Sequence, residues 1–305
     1  MNNKPKLKSF PKLSVSLKNS TWDVPNPILP GEYVTCNSDQ HRLTDITDKY
    51  SGTGTSLGKG AFKDALLIKH TDTGESFVGF DFIYPTSKDS IKEICNFIRI
   101  FYKKLEKNSQ KCLKNVLCPV DIGVVTKDNV KYVRFVTDYF RGVNLDTWLE
   151  NHKCKEGNDP IKKNIMIKLI DALDDMHSKW GYTHHDIKPA NIMIDASEMD
   201  GPAVAIIDIF GGCFDEDCNP MSDEKYKHII DEVETATNAD PDLYAMSKVF
   251  KDIVGGRWSG ETRGSFECDK TLSDFEQHIY DLSELMAAGK ISISEIKESL
   301  KRIKI

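Results

Sequence analysis

Asp186, Lys188 and Asn191 are packed into His184-His185-Asp186-Ile187-Lys188-Pro189-Ala190-Asn191, and Asp208 follows in Ala205-Ile206-Ile207-Asp208-Ile209-Phe210. Such a set suits transfer of a phosphoryl group from ATP, a reaction in which a protein acts mainly through position and charge. It calls for a carboxylate that receives the proton of the acceptor hydroxyl and for oxygen ligands that hold Mg²⁺ against the phosphates. It also calls for a cation beside the moving group. Asp186 can be the base, Asn191 and Asp208 the metal ligands, and Lys188 the cation. An Asp, a Lys two residues on and an Asn five residues on form a tight loop that aims all three side chains into one cleft.

The flanking sequence supplies elements to hold that loop. Asp159 and Pro160 form an N-cap and first-turn pair. The helix they open carries Ile161, Ile165, Met166, Leu169, Ile170, Leu173, Met176 and His177 on one side, and His177 reads as a core-edge histidine. Ile192 to Ile194 and Val204 to Ile207 read as short buried strands around a polar turn. Asp240 with Pro241 caps a further helix, striped by Leu243, Met246, Val249, Phe250 and Ile253 and stopped at Gly255-Gly256. One more helix is expected from Leu272 to Met286, ended by Gly289. A last one begins after Ser292, where Glu295 completes a capping box and Ile296, Leu300 and Ile303 form the stripe.

Upstream, Gly52 to Gly60 leads through Ala61-Phe62-Lys63 into the apolar run Ala65 to Ile68. Glycines at 58 and 60 let backbone N–H groups approach phosphate oxygens, and Phe62 can cap the loop tip. Thr71 to Gly74 reads as a hairpin turn and Ser76 to Ile83 as the returning strand. Ser90 to Leu105 carries a helical stripe of Ile91, Ile94, Cys95, Ile98, Phe101 and Leu105. Lys131 to Asp138 reads as another strand.

These features together resemble the protein kinase superfamily, from about residue 50 to 300, most specifically in the catalytic loop. The resemblance implies an α+β fold of two lobes, a small β-rich N-lobe over about 46–138 and a trimmed helical C-lobe over about 142–305. Residues 1–45 would be a basic, Pro-containing N-terminal extension. It implies ATP with Mg²⁺ (or Mn²⁺) as cofactors and Asp186, Lys188, Asn191 and Asp208 as catalytic residues. Leu57, Gly58, Gly60, Lys63, Ala65, Glu93, Thr137 and Met193 would contact the nucleotide. Tyr139 to Gly142 would be the hinge, with Thr137 guarding the back pocket. His184 would pack and hydrogen-bond in the core, and Asp242 would brace the catalytic loop. Asp-x-Lys-Pro resembles the Ser/Thr branch, so the implied reaction is transfer of the γ-phosphoryl group to Ser or Thr hydroxyls of a protein.

The pattern is broken in five places. Lys63 replaces the third glycine of the phosphate loop. The run Val78-Gly79-Phe80-Asp81 places Asp81 where a phosphate-pairing Lys is usual. In both respects the sequence resembles the With-No-Lysine kinases, whose glycine-loop Lys reaches the phosphates; Lys63 matches that Lys, and Glu93 matches the helix Glu that would hold it. His185 replaces the Arg that pairs with a phosphorylated activation segment, so Ser222 and Thr235 lose that partner. Asp208-Ile209-Phe210-Gly211-Gly212 stands for Asp-Phe-Gly, and no Ala-Pro-Glu anchor follows. Two other readings therefore stand beside an active enzyme: a pseudokinase scaffold that binds partners or nucleotide without turnover, and a small-molecule kinase of the aminoglycoside or choline type.

Composition narrows the classes. At 305 residues, 39% hydrophobic and 29% charged, with net charge −6, the chain reads as soluble and globular and lacks the basic balance of a nucleic-acid binder. No apolar run reaches membrane-spanning length, and the Lys-studded N-terminus does not read as a secretory signal. Lys4, Lys6, Lys8, Lys12 and Lys18 form either a tail or a docking segment for an acidic partner. The eight cysteines are scattered without a Cys-x-x-Cys pair. They read as reduced thiols of a cytoplasmic protein.

Overall fold

Alternating apolar residues and tight turns build the first half of the chain. The computed structural model describes residues 33–36, 39–59, 63–83, 93–100, 112–117, 119–152, 157–197, 201–214, 240–255 and 272–305. The chain divides into two compact units, one holding residues up to Ile98 with Val120–Thr137, the other Arg99–Pro119 with Asp138–Ile305. It is an α+β chain, with the sheet in the first unit and most helices in the second.

In the first unit, β1 (Tyr33–Cys36) and β2 (Asp39–Arg42) form a hairpin. A six-stranded sheet follows from β3 (Thr44–Asp45), β4 (Tyr50–Lys59), β5 (Lys63–His70), β6 (Ser76–Ile83), β7 (Pro119–Lys127) and β8 (Val130–Asp138). Its order is β3-β7-β8-β6-β5-β4. Strand β3 pairs in parallel with β7, Thr44 opposite Gly123, so the sheet begins before residue 46. Turns fall where the sequence requires them: Gly74 has φ 70°, and Asp128 and Asn129 both take positive φ between β7 and β8. Ile46, Tyr50, Ile68, Val125 and Val136 form one core cluster. Each such side chain contributes roughly 1.5–3 kcal/mol by leaving water.

Helix α1 is described over 93–100. Its Phe97 stacks on Phe135 of β8 at 4.1 Å, and Phe135 meets Phe82 of β6 at 4.6 Å. Side chains alternate along a strand, so Phe82 is on the helix side of the sheet and Asp81 on the other. There Asp81 accepts a forked pair of bonds from Arg134, 2.6 and 2.8 Å, and pairs with Lys127. Gly79 makes room for this, since a Cβ there would sit 3.2 Å from the Arg134 guanidinium. Burial alone would raise the Asp81 carboxyl. The bonds and charges of Arg134 and Lys127 outweigh it and hold the group below the ordinary range. Asp81, which the sequence reading set at the position of the phosphate-pairing Lys, thus faces away from α1, and Phe82 is on the face that meets it.

A second correction concerns sulfur. Cys36 of β1 is disulfide-bonded to Cys95 of α1, and Cys112 is disulfide-bonded too, so these three are not the reduced thiols expected. The hairpin brings Cys36 within a Cα separation of 5.5 Å from Cys95, a span that suits the bond.

The second unit starts with α2 (Leu145–His152) and α3 (Asp159–Asp175). The cap of α3 is Asn158, and Asp159 is its first residue. The Asp159 carboxylate instead lies 3.7 Å from Lys162 and accepts the Ser273 hydroxyl. After α3 the chain widens into a π turn over Met176–Trp180, closed by Gly181 at φ 58°. Three small strands, β9 (Val143–Asn144), β11 (Ile192–Asp195) and β12 (Ala203–Ile206), make a sheet in the order β12-β11-β9. Strand β10 (Tyr182–Thr183) pairs with β13 (Cys213–Phe214).

Helix α4 (Pro241–Val254) is capped by Asp240 and ends at Gly255, φ 91°. Helices α5 (Asp274–Ala287) and α6 (Ile293–Arg302) both start in capping boxes, Ser273 with Glu276 and Ser292 with Glu295. Fully buried Lys162 of α3 donates to fully buried Glu276 at 2.7 Å. Lys297 of α6 bridges Asp171 and Asp174 of α3. Among the described residues no helix is long and apolar enough to cross a membrane.

Candidate active site

The loop after β10 is held from beneath by one carboxylate. Asp242, in the first turn of α4 and fully buried, accepts the backbone N–H of His184 at 2.7 Å and of His185 at 2.8 Å. His177, presented by the π turn, lies 3.0 Å from the same carboxylate and 3.6 Å from Asp240. Burial would push Asp242 up. The His177 hydrogen bond, the two histidines and the His184 amide outweigh it, and the carboxyl is held below its ordinary value.

This anchoring permits a sharp bend. His185 takes φ 64°, a left-handed conformation that costs a non-glycine residue energy and persists only where neighbours fix it. His184 is buried beside it. Its Nδ1 accepts the Asp186 amide at 3.1 Å, and its Nε2 lies 3.0 Å from the Ile207 carbonyl, which makes that nitrogen the protonated one.

Asp186 then projects a half-exposed carboxylate. Lys188 donates to both of its oxygens, 3.0 and 2.8 Å. Asn191, nearly buried at the end of the 3₁₀ turn Pro189–Asn191, donates its amide to the Asp186 carbonyl at 2.8 Å and to the carboxylate at 2.9 Å. The Asn191 carbonyl in turn accepts the Ile207 N–H at 2.9 Å, so Asp208 follows a residue tied to the loop at both its amide and its carbonyl. Asp208 takes φ 60° and ψ 38° and enters a 3₁₀ turn, Ile209–Gly211. One carboxylate is thus fixed by an amide and an ammonium, and Asp208 follows β12 with its preceding residue, Ile207, bonded through the backbone to Asn191.

A protein kinase domain model matches residues 52–217, more than half of the chain. The chain belongs to the protein kinase family. Among curated relatives it is similar to the cell cycle protein kinase DBF2 of Saccharomyces cerevisiae, 29% identical over 177 residues, which are 52% of this chain and 29% of that protein. It is also similar to the serine/threonine-protein kinase PKH2 of Candida albicans, 25% identical over 47% of this chain and 14% of that protein. With the human serine/threonine-protein kinase MRCK gamma the identity is 24% over 55% of this chain and 10% of that protein. The chain therefore spans less than a third of these relatives' length.

The second unit places Asp186, Lys188 and Asn191 on one loop, with Asp208 two residues past the end of β12. Met193 lies on β11 opposite Asn144 of β9. In the first unit, Gly58 pairs with Ala65 across β4 and β5, and Leu57 beside it is 44% exposed. Thr137 is buried on β8, and Glu93 is buried at the start of the described part of α1. Lys63 is the ladder partner of Phe82. Gly60, Phe62, residues 1–32, Ser222 and Thr235 lie outside the described residues.

Two participants escaped the sequence reading. Arg134 sits in Val133-Arg134-Phe135-Val136, and a charge amid a buried strand is itself a signal that a partner is near. Tyr182 is fully buried and donates its hydroxyl to the Ile209 carbonyl. A tyrosine at a core position carries a comparable signal.

Proposed function

We propose that this chain is an active, divergent serine/threonine protein kinase that transfers the γ-phosphoryl group of ATP to Ser or Thr hydroxyls of a protein. The observation that carries the reading is the Asp186 carboxylate, held by Asn191 and Lys188 on a loop that buried Asp242 pins through two backbone amides. Asp186 receives the hydroxyl proton as the acceptor oxygen bonds to the γ-phosphorus and the bond to ADP breaks. Lys188 offsets charge on the transferred group. Lys63 supplies positive charge to the α- and β-phosphates, with Glu93 holding it, in place of the Lys that β6 lacks.

Asn191 and Asp208 fit a divalent ion. Both offer the oxygen donors that Mg²⁺ or Mn²⁺ prefers. The Asn191 amide nitrogen is spent on Asp186, which directs its oxygen end away from that carboxylate. When bound there, the ion neutralises phosphate charge. The two residues orient it, and the Asn191–Ile207 hydrogen bond keeps them in register.

A pseudokinase is the second reading, favoured by Phe82 on the helix side of β6 where a Lys would act. Loss of one preorganised donor costs about 3–4 kcal/mol, which slows an enzyme without silencing it. Phosphotransfer from labelled ATP with Mg²⁺ or Mn²⁺, to a basic protein, to the chain itself and to small alcohols, separates the readings. Label on Ser and Thr that vanishes in Asp186→Asn is expected. Nucleotide binding without any transfer would favour the scaffold, and label on small alcohols alone would favour a small-molecule kinase.

A further inference from the structure

Tyr182 is a fully buried residue of β10, and its hydroxyl donates to the carbonyl of Ile209, the residue after Asp208. We propose that Tyr182 is a positioning residue whose hydroxyl sets the Asp208-Ile209-Phe210-Gly211-Gly212 segment so that the Asp208 carboxylate is presented to the divalent ion. This rests on the reading of Asp208 as a metal ligand.

Asp208 adopts a left-handed backbone, φ 60°, a region that Asp enters more readily than most residues but still at some cost, so a chain fixed on both sides helps to hold it there. On the N-terminal side Ile207 is fixed twice, its amide on the Asn191 carbonyl and its carbonyl on His184. On the C-terminal side the Tyr182 hydroxyl holds the Ile209 carbonyl. The chain then passes so close to β10 that a Cβ on Gly212 would overlap the Thr183 carbonyl and sit 2.8 Å from the Tyr182 hydroxyl. Asp208 is therefore suspended between two clamped peptide groups, one clamp from the catalytic loop and one from Tyr182.

The hydroxyl adds nothing to core packing that phenylalanine would not. In an apolar core an OH costs free energy unless it is bonded, and here its bond falls on the peptide next to Asp208. The second glycine of the segment, one more than Asp-Phe-Gly needs, lies where that hydroxyl and the Thr183 carbonyl leave no space. Tyr182 and Gly212 are two halves of one clamp.

The test is Tyr182→Phe in the full chain, read by the Mg²⁺ concentration that gives half of the ATP-induced thermal stabilisation. Loss of one buried hydrogen bond that acts on ligand geometry should raise that midpoint about five-fold. The ligand-free melting temperature should stay within a few degrees, and amide exchange at 209–212 should quicken. A midpoint within two-fold of wild type overturns the proposal. Asp208→Asn is run in parallel. If it loses metal dependence while Tyr182→Phe matches wild type, the Tyr182 inference alone fails. If Asp208→Asn keeps the wild-type midpoint, the metal-ligand reading fails and takes the inference with it. Should Tyr182→Phe not fold, 3-fluorotyrosine at 182 keeps the ring and strengthens the donor. The midpoint should then fall, and an unchanged value overturns the proposal.

Discussion

Lys63 and Phe82 are cross-strand partners in the β5–β6 ladder. Phe82 occupies the side of the sheet that meets α1, through Phe135 and Phe97. In the proposed reading Lys63, on the strand paired with β6, is the source of the charge that β6 does not supply. Lys63→Met should lower turnover on the order of 10²-fold or more, the scale for loss of a preorganised donor. Lys69→Met, at the far end of the ladder opposite Ser76, and Lys59→Met should stay near wild type. Initial-rate kinetics with a basic protein acceptor decides it, and an unchanged Lys63→Met rate would sink the assignment.

Asp81 has a different fate. Its partner Arg134 is almost wholly buried, so Asp81→Ala strands a guanidinium inside the protein. Such a loss costs about 3–5 kcal/mol. ATP affinity at a temperature where the variant is folded should not change. Denaturant unfolding and nucleotide titration are the two readouts. Weakened ATP binding with undiminished stability would place Asp81 back at the phosphates.

Acid should act through Asp242. Its folded carboxyl is held below the ordinary Asp value of 3.8. The stability it contributes is present in full above that value and is lost as pH falls through the lower folded one. Wild type should therefore gain stability on Asp242→Asn as pH rises toward the ordinary Asp value of 3.8, and the two curves should run parallel well above it. Curves parallel over the whole range would mean that the carboxylate is not preferentially ionised in the fold.

The Cys36–Cys95 bond spans 59 residues of sequence. By chain entropy, closing such a loop stabilises the fold by about 4 kcal/mol. Reductant should lower the melting temperature of wild type and leave Cys36→Ser with Cys95→Ser unaffected by this bond. Alkylation of Cys36 in the native, unreduced protein would contradict the pairing.

Much of this was legible in the residues themselves. Strand β6 runs over the expected Ser76 to Ile83, and the caps at Asp240 and Ser292 stand where short polar side chains precede apolar stripes. The loop Asp186 to Asn191 was legible because its chemistry is local. Asp81 was not, because strand faces alternate with period two and a one-residue slip exchanges them. The Cys36–Cys95 pairing joins segments far apart in sequence, and nothing local announces it. The π turn that offers His177 to Asp242 likewise follows from a tertiary partner and not from the helical stripe, which continues through Met176 unbroken.

Glu276 has a double occupation: it closes the capping box that starts α5, and it neutralises Lys162 in the interior. The first turn of α5 should therefore fray less than helix ends usually do, since opening it would leave the buried Lys162 ammonium with the more distant Asp159 carboxylate, 3.7 Å away, in place of Glu276. Two helices more than a hundred residues apart in the chain share one fate, and amide exchange at residues 276–279 should proceed only when α3 also comes loose. The periphery of the helical unit is, in this sense, as deep as its centre.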